Sequence, residues 1–470
     1  MKLIKTIQRH ALNLSEEYWW FILLFFIIRL YGITDPPLEI QHSWRQCTGL
    51  MIARNFLTID ANILHPRVNE SCGISNIISG EFQLLSYLHY ILSFIFGYEH
   101  WYGRLINLII SSLGIASYGY LISKLFDGKM ARNSVLALLA SCWLIFSRKM
   151  MPDTFCISLV LISFYFAYQY WNTKALHHLI LFFIFFTLGG LSKIPAIIYY
   201  TIPFYLLIFK RNPTSIKLAS LTAISATIVF IWYFIWGPYV SLTYGNWTNL
   251  GKPLLEGITD IVSHPRETVF NIVFHSFNSY ILFALVLWGI YTLIRKNEKH
   301  IWLPIVMISA IFSLYIFKAG YFFYHHNYYM IPFIPVLAFI IAYGLNHSKN
   351  KLILFIFLAG ITESIANQQH DFRIKESELY KLTLKAKLDS LDKSKNISKI
   401  LINSHSNPQQ LYLANRNGCY IKETEMTDTI KLNSYRIKNY YWLVIDKKYG
   451  YQKPILIKAF EDENYIIYKL

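Results

Sequence analysis

Eleven apolar runs constrain this chain more than anything else in it: 18–33, 105–122, 134–146, 154–171, 179–188, 194–209, 219–236, 270–294, 302–317, 330–345 and 352–365. A helix needs about 20 predominantly apolar residues to cross a bilayer. In hydrocarbon, only segments that satisfy their own backbone polar groups are stable, which leaves helices and closed barrels. Several of the runs are short for the task, so their ends are expected to extend by a few residues. Composition points the same way. The 470 residues are 54% hydrophobic and 15% charged, with a mean hydropathy of +0.35, whereas a soluble domain is about a quarter charged. A soluble fold of this size has no room inside for so much apolar surface. The expected fold class is an α-helical polytopic membrane protein with about eleven transmembrane helices. Disorder, collagen, coiled coil and a secreted disulfide scaffold are excluded.

Basic residues set the orientation. The first run follows a basic N-terminus and lacks a small-residue cleavage site, so it reads as a retained helix rather than a signal peptide. Segment 82–96 is the ambiguous one. It is apolar, about one interfacial helix long, and carries His89 midway. If it does not cross, the inside loops hold Lys2, Lys5, Arg9, Lys124, Lys129, Arg132, Lys174, Lys210, Arg211, Lys217, Arg295, Lys296, Lys299, Lys349 and Lys351. That is the distribution the positive-inside rule requires. If it crosses, most of these clusters move outside. It is therefore placed as a juxtamembrane helix on the outer face. Everything after Ile365 is then outside, in the periplasm if the host is a bacterial inner membrane. The net charge of +17, which in a soluble protein would suggest nucleic acid, is explained by the inside loops, with an anionic lipid as a further partner.

Two domains follow: 1–367, a transmembrane domain with a large first outer loop at 34–102, and 368–470, a small periplasmic α/β domain. A second outer segment, 237–268, carries the turn signals Pro238, Gly245, Gly251 and Pro253. The C-terminal domain reads as helices at 376–394 and 407–414, an Asn-Arg-Asn-Gly turn, and strands at 399–403, 441–446, 454–460 and 465–468. Five cysteines make no framework in a chain of this length. Cys47 and Cys72 share the first outer loop, where they either pair or remain free thiols.

Ionisable and aromatic groups crowd the outer side. The first loop holds Asp35, Glu39, His42, Trp44, Arg45, Gln46, Arg54 and Glu81. A plain solvated loop is one reading; a site for a charged lipid headgroup is the other. Asp153 abuts an apolar run, a functional position by default, although Pro-Asp-Thr is also good helix N-terminal chemistry. Arg148 lies five residues earlier. Lys193 sits in a short outer turn, against the positive-inside bias; a phosphate partner would explain it, and so would snorkelling. His325, His326, Tyr328 and Tyr329 belong to one aromatic stretch, either an interfacial belt or a platform for sugar or lipid. Adjacent histidines without a nearby Cys or carboxylate do not make a metal site. No Walker loop, dinucleotide fingerprint, GxSxG or HExxH occurs.

Taken in order, these blocks resemble a known family. His42-Ser-Trp44-Arg45-Gln46 with Ala53-Arg54-Asn55-Phe56, Glu81-Phe82, Gly97 with Gly103-Arg104-Leu105, and Ser147-Arg148 before Pro152-Asp153 are similar to the GT-C type membrane glycosyltransferases. So are Gly190 with Lys193-Ile-Pro195, and Tyr328-Tyr329 with Pro332 and Pro335. The branch is the bacterial family-39-like enzymes, related to protein O-mannosyltransferases and aminoarabinose lipid A transferases. The resemblance spans most of 18–345 and implies transfer of a sugar from a polyprenyl-phosphate donor to a lipid, glycan or protein acceptor on the periplasmic face. It calls for no cofactor beyond that donor; a divalent metal is neither required nor excluded. Arg45, Arg148 and Lys193 would hold the donor phosphate. Trp44, Gln46, Arg54, His325, His326, Tyr328 and Tyr329 would bind substrate. Relatives carry acidic residues in a pattern like Asp-Glu-x-Arg; aligned on Arg45, those positions fall on His42 and Ser43 here. The base is therefore sought in Asp153 and His42, then Glu39 and Glu81. The alternative functions are a transporter or flippase of lipid-linked saccharides and a polysaccharide polymerase or ligase.

Overall fold

The apolar runs become helices, and polar residues decide where each begins. The computed structural model describes residues 18–70, 72, 75–245, 251–392 and 398–470. The N-terminal Lys2, Lys5 and Arg9 lie outside the described residues. Asp127 caps helix Gly128–Leu139 by accepting the Met130 N–H at 2.7 Å. Asn212 forms a capping box with Ser215 at the start of Pro213–Phe230. Ser279 caps Tyr280–Lys296 and Asn350 caps Lys351–Gln368. Each side chain satisfies amide donors that have no intrahelical partner. Left-handed Lys174 and Asn297 end Pro152–Thr173 and Tyr280–Lys296.

Among the described residues, six helices are long and apolar enough to cross a membrane: Tyr102–Leu125, Pro152–Thr173, Pro213–Tyr244, Lys299–Ala319, Asn327–Asn346 and Lys351–Phe372. Tyr18–Leu30, Leu84–Phe96, Leu176–Ser192 and Ile194–Phe209 are shorter apolar helices. Two expected spans are broken. The run 134–146 divides into Gly128–Leu139 and Trp143–Phe146, where the Cys142 N–H donates to the Ser276 carbonyl at 3.0 Å and the Ser141 hydroxyl accepts from the Trp143 N–H at 3.1 Å. The run 270–294 divides into Pro265–Val273 and Tyr280–Lys296, with Asn278 left-handed (φ 49°) between them. Hydropathy alone passes over both breaks, since a few polar residues barely change a window average.

The chain clusters into two compact units. One comprises Met1–Ile33, Arg104–Tyr233 and Leu250–His370; the other comprises Thr34–Gly103, Phe234–Asn249 and Asp371–Leu470. This grouping differs from a linear division at 367/368, since the first outer loop clusters with the C-terminal segment. In the first unit a single apolar core holds Trp143, Phe146, Phe182, Phe186 and Tyr343. Glycines let its helices approach closely, as small residues do between membrane helices. Gly289 and Gly344 face each other, and a side chain on Gly289 would overlap the Ile340 carbonyl.

In the second unit, helix Ser43–Thr58 packs on Leu84–Phe96, with the Phe56 ring 5.4 Å from Tyr87. The C-terminal part holds a five-stranded sheet: β1 (Lys399–Ile402), β2 (Gly418–Tyr420), β3 (Tyr440–Asp446), β4 (Ile457–Glu461) and β5 (Tyr465–Lys469). The order is β2-β1-β3-β5-β4. β2, β1 and β3 run parallel, and β5 pairs antiparallel with both β3 and β4. Alternating residues feed two cores, Leu401, Leu443 and Ile445 on one face and Ile400, Ile402 and Val444 on the other. The four expected strands are present with shifted ends. The expected helix 376–394 is instead a 3₁₀ turn, Glu376–Thr383, leading into Leu384–Leu391, and its last residues lie outside the described residues. Two elements had no sequence signal: β2, only three residues long, and the polar helix Thr429–Ile437.

The outer edge of β2 is covered by the first loop. The Gly418 N–H donates to the Asn69 carbonyl at 2.9 Å, and Asn69 Nδ2 donates to the Arg416 carbonyl at 3.2 Å. A disulfide joins Cys72 to Cys419 across 347 residues of sequence. The Cys47–Cys72 alternative is thereby corrected: Cys47 is buried and not disulfide-bonded, and Cys72 has a distant partner that no spacing rule could supply.

Gly289→Val should lower the unfolding midpoint of the detergent-purified protein by the equivalent of about 1–3 kcal/mol, the usual cost of overpacking. Gly128, whose added side chain would meet nothing within 4 Å, should tolerate Ala within about 0.5 kcal/mol. Equal midpoints for the two variants would contradict the Gly289–Ile340 packing.

Candidate active site

In the first unit the structure brings together three separate stretches of sequence, at Asp153, at Lys193 and at the adjacent Tyr328 and Tyr329. Pro152 occupies the first turn of Pro152–Thr173, where its missing N–H costs nothing. Asp153 follows in the same turn, at the end of the helix where the backbone dipole favours an anion, and is 3% exposed. Leu176–Ser192 ends at Lys193, which is extended and leads into a 3₁₀ turn, Ile194–Tyr200, with Pro195 in its first turn. From there the Lys193 ammonium pairs with the Asp153 carboxylate. It also lies over the Tyr328 ring, 4.7 Å from its centroid, and 5.8 Å from that of Tyr329. Ring faces attract cations, more so where water is scarce. His326 stacks on Tyr328 at 5.1 Å, and Tyr315 stacks on Tyr329 at 5.6 Å.

The loop before Asp153 is held from behind. Asn107 Nδ2 donates to the carbonyls of Phe146 at 3.1 Å and Lys149 at 2.7 Å, while its oxygen accepts from Thr154 Oγ1 at 3.1 Å. Arg148 and Lys149 are both buried, and Arg148 donates to the Tyr31 carbonyl. His325 does not join this group. It ends the short helix Tyr321–His325, and its ring lies 4.0 Å from Tyr321 and 4.8 Å from Tyr324. His326, the next residue, is extended, so the two imidazoles diverge.

The first-loop candidates lie in the second unit and pair largely among themselves. Arg45 forms an ion pair with Glu81 at 2.6 Å, both side chains part-exposed. Glu39 is buried and accepts from Gln46 Nε2. His42 adopts a left-handed conformation (φ 54°) and leads into helix Ser43–Thr58 without capping it through its side chain. Trp44 is 41% exposed. Arg54 is turned toward helix Gln409–Ala414: it donates to the Tyr412 carbonyl at 3.1 Å and its guanidinium lies 4.7 Å from that ring's centroid. Tyr412 and Tyr98 share a hydroxyl contact at 3.0 Å, and burial pushes the Tyr98 hydroxyl well above its ordinary pKa. Gln409 Nε2 donates to the Ser43 hydroxyl at 2.9 Å. Asn107, Tyr315, Gln409 and Tyr412 were not singled out in the sequence. Asn107 carried a signal, an amide inside an apolar run. The others did not, as one glutamine or tyrosine among many has no distinguishing local pattern.

Residues 84–236 match the family model described as dolichyl-phosphate-mannose-protein mannosyltransferase. No curated protein matches the sequence. Solved structures share the fold. ArnT from Cupriavidus metallidurans in the apo state superposes with a TM-score of 0.61 at 11% identity, over 96% of this chain and 97% of that one. The same protein bound to undecaprenyl phosphate gives 0.57 at 10% identity, over 96% and 98%. The Archaeoglobus fulgidus oligosaccharyltransferase gives 0.58 at 14% identity, over 90% of this chain and 67% of that one. The expected resemblance to GT-C type glycosyltransferases thus holds along the matched segment, and the fold is the one these solved structures share.

Proposed function

We propose that the chain moves a sugar from a polyprenyl-phosphate donor to a hydroxyl-bearing lipid, glycan or protein acceptor on the periplasmic face of a bacterial inner membrane. The observation that carries this reading is the buried Asp153–Lys193 pair beneath Tyr328 and Tyr329, in a fold shared with a protein whose structure holds undecaprenyl phosphate. A sugar linked to a lipid phosphate brings its own leaving group. The acceptor oxygen bonds the anomeric carbon, the carbon–phosphate-oxygen bond breaks, polyprenyl phosphate departs, and the acceptor proton passes to a base. Lys193, Arg148 and Arg45 are the cations assigned to the charge growing on the phosphate. Asp153 is assigned as base, with His42 positioning the acceptor; Glu39 and Glu81 stand behind them. Rings such as Tyr328 and Trp44 suit the apolar faces of a sugar. The Cys72–Cys419 disulfide supports the periplasmic orientation, because such bonds persist in oxidising compartments.

Purified protein incubated with synthetic polyprenyl-phosphate sugars and candidate acceptors should release free polyprenyl phosphate. Absence of release with every donor would reject the reading in favour of a flippase. Asp153→Asn should lower transfer by about 10²–10⁴-fold, the range for loss of a general base, while His42→Gln keeps a measurable rate. If the order reverses, and the rate falls as pH drops through the histidine range, His42 is the base. Lys193→Arg should retain more activity than Lys193→Ala, because charge matters more here than the shape of the donor.

The same variants carry a structural signature. Asp153→Ala leaves a buried ammonium without its carboxylate and should cost about 3–5 kcal/mol in thermal unfolding. Asp153→Ala with Lys193→Met together should recover part of that loss. Orientation is tested separately: reporter fusions should report cytoplasm after Lys129 and periplasm after Tyr380, and the opposite pattern would overturn the topology.

A further inference from the structure

The sheet of the C-terminal part ends differently at its two edges. The β2 edge is covered by Asn69 and the disulfide, whereas at the β4 edge apolar side chains stand in solvent. Pro454 and Leu456 turn inward, and Leu456 packs on the core of Leu443, Ile445 and Ile466. Their neighbours face out: Ile455, in the bend before β4, is 90% exposed, and Ile457, at the start of β4, 76%. Ile437, at the end of helix Thr429–Ile437, is 82% exposed. A groove of about 600 Å³ runs along Arg436, Pro454, Ile455, Leu456, Ile457 and Lys469. Its rim is cationic. Arg436, Lys438, Lys453 and Lys469 are exposed, and among the described residues none of the four forms an ion pair. The nearest carboxylate on the strand, Glu461, is already held by Lys447 and Lys458.

We propose that this face rests on the bilayer, inserting Ile437, Ile455 and Ile457 among anionic lipid headgroups. Aliphatic knobs ringed by cations, with Tyr441 beside them, are the composition of an interfacial membrane contact. Lysine and arginine stems lie along apolar surface while their charges reach phosphate. The bilayer is also the surface held at high local concentration, since the segment beginning at Asp371 starts three residues beyond the end of the apolar helix Lys351–Gln368. A second copy joined strand to strand is disfavoured by β4 itself. The strand is short, carries Lys458, and has an irregular register between Lys458 and Phe460, all features that blunt a sheet edge. The contact concerns membrane attachment of this domain and is independent of the transfer chemistry.

The test uses the full chain in vesicles. Ile455→Cys carries a bimane probe selectively, because Cys47, Cys142 and Cys156 are buried and the other two cysteines are bonded. Ser390→Cys, exposed and outside the patch, is the reference. Quenching by headgroup-nitroxide lipid should be about threefold stronger at 455 than at 390 in vesicles with roughly a third phosphatidylglycerol. It should fall toward the reference in pure phosphatidylcholine, in high salt, and when Arg436, Lys438, Lys453 and Lys469 are changed to Gln. The lipid and salt arms need no variant beyond the probe. Equal quenching at the two positions, or quenching at 455 indifferent to lipid charge, would overturn the proposal. Probe–probe self-quenching at 455 that rises with protein density would overturn it in favour of a second copy.

Discussion

A carboxylate and an ammonium buried together at the ends of two apolar helices are the interaction on which the first unit is organised. Either charge alone would be expensive in so dry a place. Asp153 stands at a helix start fixed by Pro152, and Lys193 at a helix end that leads into the turn holding Pro195, so each charge is presented by backbone rather than by a flexible loop. Tyr328 and Tyr329 then occupy the space around the ammonium. Asn107 holds the loop that carries Arg148 and Lys149. The arrangement sets rigid cations and one carboxylate into a low-dielectric setting, where they act on charge more strongly than in water.

Much of this was legible in the sequence, and the divisions are physical. Long apolar runs announced helices because burial in lipid leaves no other backbone solution. Asp153, Lys193 and Tyr328 stood out singly because each breaks a rule of its surroundings. Their meeting could not be read, since 40 residues separate Asp153 from Lys193 and far more separate both from Tyr328. Breaks at Ser141 and Asn278 were missed because a hydropathy window averages over the few polar or left-handed residues found at a break. Arg54 is the instructive case among the candidates: the sequence supplied its charge and its place near the membrane, while its aromatic partner, Tyr412, lies 358 residues away.

The C-terminal sheet shows the same limit from another side. Strands β1, β3 and β5 were visible because β-branched and aromatic residues cluster in them. β2 was invisible: Gly-Cys-Tyr has no period to detect. Its position depends on the first loop, through the Asn69 carbonyl and Cys72. A strand of three residues is stable at an edge only when something outside the sheet completes it. That is why the disulfide joins the first loop to the C-terminal segment rather than closing a local turn. The cysteines record a long-range contact, and long-range contacts are what a single sequence conceals best.

The two edges of this sheet meet the same physical problem with different solutions. An open edge offers unpaired N–H and C=O groups to any passing strand. At β2 the remedy is coverage, a bridge to Glu70 and a covalent bond to Cys72. At β4 it is distortion and charge, an irregular register and Lys458. Distortion protects the backbone but does nothing for the side chains, so Ile455 and Ile457 stay in solvent. In a freely diffusing domain such residues would be an aggregation hazard. In a domain joined by a few residues to an apolar helix, an apolar surface has a lipid neighbour within reach, and exposure there carries a different meaning.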